Sequence, residues 1–263
     1  MELWKPVHLK DETCYLSKIG LMKVWIKRFQ QDWYIASEPV PFRDPKDVEE
    51  VHYFKAVKEE ATREWKRWVV AGDAMEVSLT PLMPDRPVVV RPGLSLRVPK
   101  GHEALFYVYI PIWLRVDVGS ARKTTLCEIP TTVLSNTWFG DQTSGELCYS
   151  LRSWAKRRLE KVPYGWHQAA CPVQVSNNSN SELDFQRFCL HVEHLAVYHT
   201  STMLWTNKVQ VVFRGEDQAS QITISATAPG TGGAAVRISE PRKALQKSIV
   251  RKSFNFLRNL TGF

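Results

Sequence analysis

The 263-residue sequence lacks long apolar segments: it has no run of about 18 apolar residues, the minimum for a membrane-spanning helix, and its N-terminus, MELWKPVHLKDE, has no apolar core. These absences argue against a membrane span and a secretory signal. Cysteine is also scarce, with five widely scattered residues and no CxxC pair. Such a pattern indicates free thiols in a reducing compartment, so we expect a cytoplasmic protein.

Recognisable catalytic and cofactor-binding motifs are missing as well. The sequence contains no GxSxG, no P-loop and no GxGxxG after a strand. We therefore expect no cofactor, and the sequence favours a non-enzymatic binding or regulatory module over an enzyme. The alternative is a hydrolase or metal-dependent enzyme built on one of two polar segments, the Asp141 loop or the His191–His199 cluster.

Acidic residues are in deficit, with 27 Asp and Glu against 35 Lys and Arg, which gives a net charge of +8. Two segments hold the whole surplus: residues 144–161 carry five basic and two acidic side chains, and residues 240–263 carry six and one. Clustered cations predict an anionic partner, which could be an acidic protein, a nucleic acid or a membrane surface. The residues expected at this contact are Arg152, Lys156, Arg157, Lys247, Arg251, Lys252 and Arg258.

Short runs of β-branched and aromatic residues, separated by proline and glycine, make up most of the chain. Residues 104–118 are apolar at nearly every position, which is typical of a strand covered on both faces. Pro111 interrupts this run and predicts a bulge, an edge or a division into two strands. Regularly spaced short strands predict a mainly β fold with one or two β-sandwich-like domains.

Two segments have helical periodicity instead. In residues 144–162 the apolar side chains share one arc, Thr143 and Glu146 have capping-box spacing, and Pro163 follows. Residues 240–263 show a similar apolar stripe with basic residues opposite. The sequence therefore predicts a bridging amphipathic helix and a basic C-terminal helix, and it leaves open whether the second one docks on the body or on a partner.

These elements predict four consecutive regions. An N-terminal β-rich domain spans residues 1–140, and the loop with the bridging helix spans 141–167. A second sandwich-like domain follows at 168–239, and the basic helix occupies 240–263. A single continuous sandwich is the alternative.

The segment NTWFGDQTSGE precedes the predicted bridging helix and is a candidate ligand site. A helix N-terminus offers unpaired backbone N–H groups and a positive dipole, which together suit an anion. The alternative is a self-capped turn, with Arg158 held in a structural ion pair. The candidate ligand-binding residues are Trp138, Gly140, Asp141, Thr143, Ser144 and Arg158.

The densest group of possible metal ligands lies in residues 191–199. If this stretch is a strand, its period of two places His191, Glu193 and His199 on one face. Zinc requires about three or four converging ligands, so these three are candidates for a metal site. The spacing is not the helical HExxH of metalloproteases, and the alternative is packed or solvated histidines.

Three blocks of sequence carry a family resemblance: LTPLMPDRPVVVRPG leading into FYVYIPIWLRV, then NTWFGDQTSGELCYS, then VQVSNNSNSELDFQRFCLHVEHLAVYH followed by VQVVF. The most specific pattern is W/Y-x-G-D-x-x-x-G-x-x-C, formed by Trp138, Gly140, Asp141, Gly145 and Cys148. Together the blocks span roughly residues 79–213 and resemble an uncharacterised, largely archaeal family, domain-of-unknown-function family 432. That family has no established activity, so the resemblance implies kinship and no particular function.

Overall fold

The computed structural model describes residues 4–42, 52–58, 63–72, 74–93, 95–153, 155, 165–215, 218, 220–229, 234–244 and 249–251. Within these residues the regular elements are β-strands and one 3-10 turn, Val192–His194. The strands are β1 Val7–His8, β2 Cys14–Ile19, β3 Met22–Phe29, β4 Asp32–Pro39, β5 His52–Val57, β6 Lys66–Val69, β7 Glu76–Leu82, β8 Val88–Pro92, β9 Leu96–Val98, β10 Glu103–Pro111, β11 Trp113–Val118, β12 Thr124–Pro130, β13 Asn136–Phe139, β14 Glu146–Ser153, β15 Gln168–Asn177, β16 Leu183–Phe185, β17 Phe188–Leu190, β18 Val197–His199, β19 Leu204–Thr206, β20 Val209–Phe213, β21 Ser220–Ile224, β22 Val236–Ser239 and β23 Ile249–Arg251.

The first of two compact units combines Met1–Leu82, Pro111–Val133 and Pro163–Gln168. It contains a four-stranded sheet in the order β1-β7-β11-β12 and a five-stranded sheet in the order β5-β2-β3-β4-β6. The hairpin of β2 and β3 turns at Gly20, whose φ of +59° suits a residue without a Cβ. Most apolar side chains of β3 and β4 are buried and form part of the core of this unit.

The second unit combines Met83–Ile110, Leu134–Val162 and Ala169–Phe263. Its largest sheet has the order β22-β18-β19-β15-β20-β21-β23, with β10 pairing to β15. A four-stranded sheet has the order β13-β14-β8-β17, and β9 pairs with β16. Strand β8 carries three consecutive fully buried valines, Val88–Val90, as expected for a strand paired on both sides and covered on both faces.

The mainly β fold predicted from the sequence is confirmed. The apolar run 104–118 is also divided as Pro111 suggested, because β10 ends at Pro111 and β11 starts at Trp113. The sandwich packing and the four sequential regions stay predictions. In the part of the chain that the structure describes, no helix has the length and hydropathy needed to cross a membrane.

The bridging helix predicted over residues 144–162 is wrong where the structure describes it, because Glu146–Ser153 form β14. This strand pairs antiparallel with β13 and parallel with β8. The apolar arc of the predicted helix is not buried as a unit: Leu147 is 45% exposed, whereas Leu151 is 8% exposed. Pairing with a distant strand outweighs the local helical pattern. Residue 154 and residues 156–164 lie outside the described residues.

The basic C-terminal helix predicted over residues 240–263 is also wrong where residues are described. Residues 240–244 contain no helical turn, and Ile249–Arg251 form β23, antiparallel to β21. The β-branched pair Ile249 and Val250 suits this pairing. Residues 245–248 and 252–263 lie outside the described residues.

Candidate metal centre

Three stretches of the second unit bring polar side chains together around β8. Strand β14 begins at Glu146 and runs parallel to β8, whereas β17, which carries Cys189, pairs with β8 antiparallel from the other side. The chain then leaves the sheet, because His191 directly precedes the 3-10 turn Val192–His194. Long-range strand pairing therefore places Glu146, at the start of β14, next to Cys189 in β17 and to His191, which directly follows β17.

Glu146, Cys189 and His191 form a compact group of three different ligand types. The Oε1 atom of Glu146 lies 3.4 Å from Nε2 of His191 and 4.0 Å from Sγ of Cys189. All three ligand atoms lie within 4.8 Å of one another. A tetrahedral zinc ion with bonds of about 2.0–2.3 Å separates its ligand atoms by about 3.3–3.8 Å. The three ligand atoms would thus have to move by about one ångström or less to surround an ion.

Glu193 supports this group from the other side of the imidazole. Its Oε1 atom lies 3.5 Å from Nδ1 of His191, so the two nitrogens of His191 face two different carboxylates. The Glu193 side chain is only 4% exposed. Its Oε2 atom is buried and has no hydrogen-bond partner among the described residues. A buried carboxylate oxygen without a partner is costly, and an unobserved ion or water is a usual explanation.

The charge of Glu193 is stabilised despite its burial. Burial disfavours the carboxylate and raises its pKa, but hydrogen bonds from His191 and from the backbone, with the charges of His191 and Lys243, lower the pKa below its usual value. The Nζ atom of Lys243 lies 3.5 Å from Oε1, and the backbone N–H of Lys243 donates to the main-chain carbonyl of Glu193 at 2.9 Å, which holds the lysine beside the carboxylate. Glu193 is therefore ionised at neutral pH and can orient the imidazole.

The thiol of Cys189 is protonated without a metal. The Sγ atoms of Cys148 and Cys189 lie 4.0 Å apart, and Cys148 donates to the Glu146 carbonyl at 3.5 Å. Hydrogen bonding to Cys148, burial and the neighbouring carboxylates raise the pKa of Cys189 well above its usual value. Because metals bind the thiolate, an ion at this site has to displace a proton from Cys189.

The sequence identified only part of this group. His191 and Glu193 are in contact, but His199 lies at the end of β18 and is not a member of the group formed by Glu146, Cys189 and His191. The continuous strand assumed for residues 191–199 is wrong, since the 3-10 turn interrupts it. Cys189 could have been found from the segment FCLHVEH, where it precedes His191 by two positions. Glu146 had no local signal.

The predicted ligand site at NTWFGDQTSGE is not a helix N-terminus: its first four residues form β13, residues 140–145 form a turn, and Glu146 begins β14. The Asp141 carbonyl accepts from the Trp138 indole at 3.0 Å and from the Gly145 N–H at 2.8 Å. Asp141 Oδ2 accepts from the Ser144 hydroxyl at 3.4 Å, Gly140 has φ of +103°, and Thr143 is exposed. Without a helix the dipole argument for an anion does not apply. Arg158 lies outside the described residues.

Of the basic residues predicted to contact an anionic partner, Arg152 is exposed at the end of β14. It pairs in register with Arg91 of β8. Arg251 lies in β23. The other candidates, Lys156, Arg157, Lys247, Lys252 and Arg258, lie outside the described residues.

Comparison with known proteins gives one relationship. A family model described as "Protein of unknown function (DUF432)" matches residues 3–258. This confirms the resemblance seen in residues 79–213 and extends it over nearly the whole chain. No curated protein and no solved structure matches the chain.

Proposed function

The chain belongs to the family Protein of unknown function (DUF432), whose description names no activity, and we propose from the site that this protein binds a transition-metal ion of the zinc class through Glu146, Cys189 and His191. One observation carries the proposal. Carboxylate, thiol and imidazole atoms converge within 4.8 Å, and the second nitrogen of the imidazole faces the buried carboxylate of Glu193.

The mixed donor set selects the class of metal. Mg²⁺ and Ca²⁺ prefer sites made of oxygen ligands, whereas a thiolate and an imidazole suit zinc and its neighbours in the first transition row. The contact between His191 and Glu193 supplies the outer carboxylate that typically orients a metal-bound histidine. Nε2 of His191 would then bind the ion, and Nδ1–H would donate to Glu193.

The group offers three protein ligands, which leaves one tetrahedral position for water or a substrate. Catalytic zinc sites commonly have this arrangement, whereas structural zinc sites use four protein ligands. The Glu146 side chain is 32% exposed, so solvent can reach that edge of the site. These two features support the hydrolase alternative over a purely structural ion.

The test is a metal titration of the full chain with Zn²⁺, and with Co²⁺ as a spectroscopic probe. We expect one equivalent to bind and a thiolate-to-cobalt absorption band that requires Cys189. His191→Gln and Cys189→Ser should each weaken binding by more than about 100-fold, since loss of an outer-shell partner alone costs about 10–100-fold.

His199→Gln and Cys171→Ser are matched controls, because they alter the same residue types away from the three ligand atoms. Both should bind Zn²⁺ as the parent protein does. Equal affinity in the parent and in His191→Gln, with both proteins folded, would refute the metal site.

A second proposed function is binding of an anionic partner, as the charge distribution predicted. Its support in the described residues is the exposed pair of Arg91 and Arg152 on adjacent strands. The experiment is a titration with inorganic phosphate at low and at high ionic strength. Binding that weakens with salt supports this function, and no binding at low salt contradicts it.

A further inference from the structure

Arg91 and Arg152 stand directly opposite each other where β8 and β14 end. The two strands are parallel and in register from Tyr149 and Val88 to Ser153 and Pro92, so the two arginines are aligned neighbours. Aligned neighbours on adjacent strands project to the same face at a spacing of about 4.8 Å. Two cationic side chains are therefore held side by side.

This arrangement is unfavourable without an anion. Like charges directly opposite each other on neighbouring strands destabilise a sheet. In the described part of the chain, neither arginine side chain makes an ion pair or a hydrogen bond with another residue, and both are exposed. The pair thus has unused donors and an unbalanced charge.

A cavity of about 500 Å³ lies beside the pair and is lined by Arg91, Pro92, Gly93, Arg152 and Ser153. None of these lining residues is acidic. The volume lies in the range of small-molecule sites, about 300–1,000 Å³. A guanidinium presents its N–H donors as a planar fork that matches the oxygens of phosphate in a bidentate manner.

We propose that Arg91 and Arg152 form a binding site for a small phosphate-bearing anion in this cavity. The inference rests on the second proposed function and is independent of the metal centre. The ligand class follows from two guanidinium forks, which match the several oxygens and double charge of a phosphate better than the single charge of a carboxylate. The cavity volume favours a small molecule over a macromolecule.

The experiment measures binding of inorganic phosphate and of a phosphate monoester to the full chain by calorimetry, with acetate as the singly charged comparison. We expect both phosphates to bind at least tenfold more tightly than acetate. Arg91→Gln and Arg152→Gln should each weaken phosphate binding at least tenfold. Arg152→Lys should recover only part of the loss, because lysine keeps the charge and lacks the fork.

Arg214→Gln is the matched control, since Arg214 is an exposed arginine of the same unit and its guanidinium contacts Gln221 at 3.0 Å. This variant should bind phosphate as the parent protein does. Thermal unfolding without phosphate provides a second readout: Arg91→Gln and Arg152→Gln should melt at the same temperature as the parent or higher, because each relieves the repulsion.

The possible outcomes distinguish failure of the Arg91 and Arg152 site from failure of anion binding in general. Salt-dependent phosphate binding that both glutamine variants retain would overturn the arginine pair as the site and leave the anion-binding function intact. Absence of phosphate binding at low salt would overturn both. Tighter binding of acetate than of phosphate would overturn the ligand class.

Discussion

The imidazole of His191 lies between two carboxylates: Nδ1 is 3.5 Å from Oε1 of Glu193, and Nε2 is 3.4 Å from Oε1 of Glu146. The two carboxylates differ in their surroundings, since the Glu193 side chain is 4% exposed and that of Glu146 is 32% exposed. In the proposed metal site, the buried carboxylate of Glu193 would orient the ring, and the partly exposed carboxylate of Glu146 would bind the ion.

Replacing Glu193 with glutamine tests this division of roles. Glu193→Gln keeps the size of the side chain but removes the charge that holds the Nδ1 proton of His191. We expect affinity for Zn²⁺ to fall by about 10–100-fold while the stoichiometry stays at one. His199→Gln should leave the affinity unchanged. Full affinity in Glu193→Gln would show that His191 is oriented by other contacts.

The raised pKa of Cys189 predicts how metal binding depends on pH. Zinc has to displace the thiol proton, so affinity should rise with pH through neutrality and above it. Hydrogen bonding to Cys148 is the largest cause of the raised pKa, so Cys148→Ala should lower the pKa of Cys189 and strengthen binding at neutral pH. Zinc titrations between pH 6 and 9 by competition with a chelator would measure both effects. Affinity that does not change with pH in the parent protein would argue against a thiolate ligand.

The burial of His167 predicts that the first unit loses stability as the pH falls. Burial lowers the pKa of His167 from its ordinary value of 6.5 to about 4. Between these values the unfolded chain binds the proton and the folded chain does not, so stability rises with pH across this window. Acidification from pH 6.5 to pH 4 should thus cost roughly 3 kcal/mol at most from this group. Chemical denaturation at several pH values would measure it.

His167→Gln is the variant that checks this assignment. It removes the titrating group, so its unfolding free energy should depend less on pH between 4 and 6.5 than that of the parent protein. An identical pH profile in the two proteins would mean that other groups cause the acid sensitivity.

Alanine substitutions at Gly20 and Gly72 distinguish the cost of backbone strain from the cost of a steric collision. Both have positive φ, but a Cβ on Gly20 would collide with Cβ and Cγ of His167, whereas a Cβ on Gly72 would meet no atom of the described residues within 4 Å. We expect Gly20→Ala to lower the free energy of unfolding by more than about 2 kcal/mol and Gly72→Ala by about 1 kcal/mol. Denaturant unfolding would measure both, and equal losses would show that the backbone at His167 shifts to accommodate the added Cβ at little cost.

The sequence was sufficient to predict those features that depend only on residues close to each other in the chain. The division of the apolar run at Pro111 and the mainly β character follow from residues within a few positions of each other. The sequence likewise singled out His191 and Glu193, but it missed Cys189, although Cys189 lies only two positions before His191 in the segment FCLHVEH.

The other features of the fold and the site depended on the tertiary structure, because the residues that produce them lie far apart in the chain. Residues 146–153 have a helical apolar pattern, yet they become a strand since β8 and β13 satisfy their backbone groups on both sides. The pairing of β14 with β8 brings Glu146 to Cys189 and His191, and it sets Arg152 opposite Arg91. The sequence alone determined which residue types were available. The pairing of distant strands determined which of them meet, since strand partners are selected by the whole sheet and not by any one segment.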